Sequence, residues 1–138
     1  MQEANKMGLA FIVMLILCIT AALIPTSLGP IDTKPILTAE PAGVRMDYIL
    51  HVILFWVLGL VYTMSAGNTD TNILPFLLGV FGLLLFAILM EALHYVISWR
   101  GYNLMDMLAN IGGLFAGILT GGVLNAFVFS KSYPKAKA

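Results

Sequence analysis

Charge is what this sequence has least of. Seven basic and seven acidic side chains are spread over 138 residues, and they cancel. A zero net charge offers no basic footprint for nucleic acid, so no nucleic-acid partner is expected. There is one cysteine, Cys18, so an internal disulfide is excluded, as is any CxxC metal or redox motif. Cys18 lies in an apolar run and reads as a small buried hydrophobe. Ser98 has no nucleophile-elbow sequence around it, so the chain lacks an evident catalytic nucleophile. Proline is concentrated in one place. Four of the six prolines, Pro25, Pro30, Pro35 and Pro41, fall within 17 residues.

What the chain has instead is hydrocarbon, with 60% of its residues hydrophobic. The apolar residues form four runs, at about 7–25, 47–66, 73–97 and 104–128. A helix needs about 20 apolar residues to cross a bilayer core. The expected fold is therefore an all-α membrane protein, a single bundle of four transmembrane helices. The first run is long for a signal-peptide core and has no clear small-residue cleavage site after it, so it reads as a span. Residues 26–46 read as a proline-rich extramembrane loop, because proline removes backbone donors and interrupts helices. GNTDTN at 67–72 is short enough to make spans two and three antiparallel neighbours. Trp99 and Tyr102 flank the third turn as interfacial aromatics do. Residues 129–138 form a basic tail.

Four spans place both termini on one side. Lys6, Lys131, Lys135 and Lys137 lie there, against Lys34, Arg45 and Arg100 opposite. This four-to-three bias points both termini to the cytoplasm.

The ionisable groups inside the runs are not scattered. Asp47 and His51 open the second span, Glu91 and His94 sit near the end of the third, and Asp106 and Asn110 open the fourth. In an up-down bundle these positions share one depth, beside Arg100. Asp47 and His51 are four apart and Glu91 and His94 three apart, so each pair shares a helix face. Asp106, Asn110, Gly113, Gly117 and Gly121 lie on one stripe of the fourth span. That stripe starts polar and continues as a small-residue seam suited to close helix packing.

Three chemistries suit this set. Carboxylates and imidazoles on neighbouring helices can hold a divalent metal, although Glu-x-x-His occurs once and a bundle di-iron site uses it twice. No cofactor is expected beyond that candidate metal. His51 or His94, oriented by a carboxylate, can do acid–base work. A polar pocket with Arg100 as anion anchor can bind a headgroup or sugar-bearing ligand.

At these residues the chain resembles the VanZ-like family of bacterial membrane proteins. The shared pattern is Asp47 and His51 in DYILH, then Glu91, then Arg100, Asp106, Asn110, Gly113 and Gly117 in RGYNLMDMLANIGGLFAG. It covers about residues 45–120. The chain departs from the pattern at His94, where the family often has glutamine, and at Tyr48, where it often has lysine. The resemblance implies a multi-pass protein of the bacterial inner membrane. It also implies a role of the antibiotic-resistance type, on an envelope lipid or a glycopeptide ligand. Two other readings stand beside it. One is an accessory subunit that packs against other membrane proteins in a larger complex. The other is a metal-assisted membrane hydrolase or transferase. Membrane lipids are expected partners in all three.

Overall fold

The computed structural model describes residues 2–23, 27–28, 31–32, 40, 44–66, 73–96 and 102–130. Side chains are described for 8–20, 40, 44–66, 73–93, 95–96 and 102–127. Four helices carry the fold: α1 (Gln2–Leu23), α2 (Met46–Ala66), α3 (Ile73–Val96) and α4 (Leu104–Ser130). Within 26–46, expected to be a loop, the described residues include two short strands, β1 (Ser27–Leu28) and β2 (Ile31–Asp32). They pair antiparallel, Ser27 opposite Asp32 and Leu28 opposite Ile31. Most of that loop, the 67–72 turn and the tail after 130 lie outside the described residues.

Each helix starts where local chemistry allows. Asp47 lies in the first turn of α2, where a carboxylate meets the positive end of the helix. Pro75 lies in the first turn of α3, where its missing N–H has no helical partner to lose. Asn103 caps α4, and its Oδ1 accepts the Met105 N–H at 3.1 Å.

Three of the helices are long and apolar enough to cross a membrane, over Met46–Ala66, Ile73–Leu93 and Leu104–Phe127. Each rises about 1.5 Å per residue, so 21 residues reach about 32 Å, the thickness of a hydrocarbon core. In α1 the apolar stretch among the described side chains, Gly8–Thr20, is shorter than that. Burial is inverted relative to a protein folded in water. Leu77, Leu78, Phe81 and Leu89 on α3 and Leu119 and Phe127 on α4 point outward, while Asp47, Glu91, Asp106 and Asn110 are buried.

Side-chain contacts fix the helix directions. His51 bonds Asn110 at one end and Asn125 bonds Thr63 at the other, so α2 and α4 run parallel. Tyr62 donates to the Phe76 carbonyl, so α3 runs against them. The Phe11 ring lies 5.7 Å from that of Tyr62, which sets α1 against α2. From α2 onward the chain thus runs down, up, down.

The closest helix approach is between α2 and α4, which are separated in sequence by all of α3. Glycines make it possible. A Cβ at Gly113 would strike the Val52 carbonyl, one at Gly117 the Trp56 carbonyl, and one at Gly59 the Leu114 carbonyl. At Gly121 it would lie 2.8 Å from the Thr63 Cβ. The seam is therefore backbone against backbone, as in small-residue membrane interfaces. The Trp56 indole N–H donates to Thr120 Oγ1 at 3.2 Å alongside it. α2 and α3, consecutive in the sequence, meet differently. Aromatic rings stand between them, with Tyr62 stacked on Phe76 at 5.5 Å and Phe55 against Phe86 at 6.0 Å. They run antiparallel and touch through these side chains, but α3 brings its backbone closer to α4 than to α2, and the tight seam belongs to the parallel pair. The core of Cys18, Phe55, Leu58, Leu83, Ala87, Met90 and Leu114 draws on all four helices.

Candidate functional site

The start of α2, the end of α3 and the start of α4 meet at one mouth of the bundle, and the buried polar groups collect there. Asp47 is 4% exposed, Asp106 5%, and Glu91 and Asn110 are fully enclosed. An unpaired charge in hydrocarbon is costly, so groups at this depth need partners.

Those partners form a connected set. Glu91 Oε1 accepts the backbone N–H of Asn103 at 2.6 Å, a charge-assisted geometry. This bond ties the end of α3 to the residue that opens α4. The Asn103 amide in turn donates from Nδ2 to the Tyr48 hydroxyl at 3.3 Å on α2. One asparagine therefore caps α4, receives the Glu91 bond and reaches α2. Loss of an asparagine N-cap costs about 1 kcal/mol. Asn103→Ala is expected to lower stability by at least that amount, read as a lower midpoint of thermal unfolding in mild detergent. Asn103→Asp, which keeps the cap, is expected to recover part of it.

Asp47 is held by Arg45, whose Nη2 lies 2.5 Å from Asp47 Oδ2. The same guanidinium lies 5.0 Å from the centre of the Tyr48 ring, within cation–π range. Burial works against the Arg45 charge, but Asp47, then Tyr48 and last Asp106 outweigh it and hold the guanidinium above its ordinary pKa. The Asp47 Oδ1 accepts the Tyr48 N–H at 2.9 Å, one of the first-turn donors of α2.

His51 bridges α2 to α4. Its Nδ1 lies 2.8 Å from Asn110 Oδ1, and its Nε2 lies 3.9 Å from Asp106 Oδ2. The Asn110 amide nitrogen faces the Ala87 carbonyl of α3 at 3.5 Å. His51, Asn110 and Ala87 therefore link three helices through one polar line.

Of the residues singled out in the sequence, Asp47, His51, Glu91, Asp106 and Asn110 lie at this mouth. Gly113, Gly117 and Gly121 lie below it on the same stripe of α4, against α2. Arg100 and the side chain of His94 lie outside the described residues, so the anion-anchor and Glu-x-x-His readings have no geometry here. Three residues at the mouth were not among the expected site residues: Arg45, Tyr48 and Asn103. Arg45 and Tyr48 flank Asp47 in the sequence, and Asn103 sits three residues before Asp106 in an N-cap arrangement. Those spacings were the available signals.

Among the described residues, no three histidine, cysteine, aspartate or glutamate side chains are grouped so as to hold a metal ion. The described part of the mouth is instead an array of donors and acceptors with one exposed-edge cation, Arg45. No family model, no curated protein and no solved structure matches this chain.

Proposed function

We propose that this chain is a VanZ-like multi-pass protein of the bacterial inner membrane, with both termini in the cytoplasm. Its polar mouth, on the outer face, binds the headgroup of an envelope lipid or a glycopeptide-type ligand. The observation that carries this reading is the buried line from Asp106 through His51 to Asn110 at the end of an otherwise apolar bundle. A structural role alone does not call for so many ionisable groups at one depth, because apolar residues would fill the space at lower cost. Arg45 takes the part that the sequence suggested for Arg100. It is a cation at the rim, oriented by Asp47 and Tyr48, and able to meet a phosphate or carboxylate.

Native mass measurement of the full chain in mild detergent tests the ligand reading. Wild type is expected to retain an envelope-lipid adduct, and a chain carrying both Arg45→Gln and Asp106→Asn is expected to lose most of it. Equal retention by both would remove the mouth from the binding reading. A protein adduct in place of a lipid would favour the accessory-subunit role.

Topology has its own test. In a Cys18→Ala background, cysteines placed at Thr38 and Asn68 are expected to label from opposite sides of the membrane. Thr38 should react with an impermeant reagent in intact cells and Asn68 only after permeabilisation. Equal reaction of both from outside would overturn the four-span arrangement.

A further inference from the structure

A neutral histidine has one ring N–H and one lone pair, and its neighbours decide which nitrogen holds which. At His51 the decision falls to Asn110. An amide oxygen can only accept, so the 2.8 Å contact from Asn110 Oδ1 requires a proton on His51 Nδ1. The amide cannot be turned round without cost. Its nitrogen faces the Ala87 carbonyl at 3.5 Å, and a flipped amide would set oxygen against oxygen there. Asn110 is fully buried, so no water competes for either end of its amide. The other ring nitrogen, Nε2, then faces Asp106 Oδ2 at 3.9 Å.

We infer that Asn110 is a positioning residue: it locks His51 in the Nδ1–H form and makes Nε2 the nitrogen that exchanges protons. The proton balance is simple. A proton arriving from a protonated Asp106, or from a hydroxyl of a ligand at the mouth, goes to the Nε2 lone pair. Nδ1 keeps its own proton throughout, and the ring becomes an imidazolium paired with the carboxylate or oxyanion that gave the proton up. The source of the proton at a ligand hydroxyl rests on the headgroup reading above; the tautomer does not. The other charged groups described at this mouth are Arg45 just before α2, Asp47 on α2 and Glu91 on α3, and Asp106 on α4 faces the ring itself.

The test is ring-nitrogen NMR on full-length protein labelled with 15N-histidine in mild detergent, at a pH where the ring is neutral. The chain has two histidines, so His94→Gln identifies the His51 signals. Wild type is expected to show a protonated Nδ1 and an unprotonated Nε2, opposite to the form that free histidine favours in water. In Asn110→Leu the proton is expected to move to Nε2, exchanging the two nitrogen shifts. Asn110→Asp, which restores an acceptor, is expected to return them. An Nε2–H form in wild type overturns the inference without any Asn110 variant. So does an unchanged Nδ1–H form in Asn110→Leu. No ligand is present in the measurement, so loss of the headgroup reading leaves its outcome intact.

Discussion

Gly117→Leu is expected to abolish the folded bundle. A Cβ at Gly117 would strike the Trp56 carbonyl and lie 2.8 Å from the Leu60 backbone nitrogen, and neither can rotate aside as a side-chain tip can. Alanine alone forces α2 and α4 apart. Overpacking of this kind costs about 1–3 kcal/mol, and leucine adds three more carbons in the same direction. The control is built into the helix. Alanine at Gly112 or Gly122 would meet nothing within 4 Å. Those two substitutions are expected to be neutral or to gain up to about 1 kcal/mol from helix propensity. Thermal unfolding in mild detergent reads the series. Gly117→Ala should fall below wild type while Gly112→Ala and Gly122→Ala do not. A Gly117→Leu chain as stable as wild type would mean that the stripe faces lipid and the seam does not form.

The second large effect is expected at Glu91. Its carboxylate is enclosed and accepts the Asn103 N–H at 2.6 Å, so it ties the end of α3 to the start of α4. Glu91→Leu fills the space but leaves that N–H without its acceptor, at a cost of about 1–3 kcal/mol. The α4 start should loosen with it, and hydrogen exchange at Asn103 and Met105 should speed up. Glu91→Gln keeps an acceptor of the same shape and removes the charge, which exchanges a charge-assisted bond for a neutral one at about 1 kcal/mol. Gln is therefore expected to insert and fold while losing lipid retention, and Leu to lose both. Wild-type retention by Glu91→Gln would leave Glu91 as a neutral structural clamp. It would also argue against metal or acid–base roles for that side chain.

The comparison of sequence with structure divides along a physical line. Four helices were legible as apolar runs, three of them long enough to cross a membrane, because hydrophobic length is a property of the sequence alone. Depth was legible too: in an alternating bundle, the order of the spans puts Asp47, His51, Glu91 and Asp106 at the same end. The close pairing of α2 with α4 was not. Gly113, Gly117 and Gly121 announce that something approaches, but not which helix, and the short 67–72 turn draws attention to α3. Val52 and Trp56 carry no mark in the sequence, because they meet the glycines through backbone carbonyls that every residue has. Asn103 and Arg45 were missed for a related reason. Their importance lies in where a turn delivers a backbone N–H or a guanidinium, and spacing alone does not place a turn in space.

The seam also bears on the order in which the chain assembles at the ribosome. α2 is complete before its principal partner has been synthesised. It has to wait for α3, and then for most of α4, before Gly113 and Gly117 can close on it. In that interval neither the His51 ring nor Gly59 can meet its α4 partner. Non-local closure of this kind is slow and leaves partly assembled states exposed. α1, already made and lying against α2 through Phe11 and Tyr62, is in place to shelter one flank of the waiting helix.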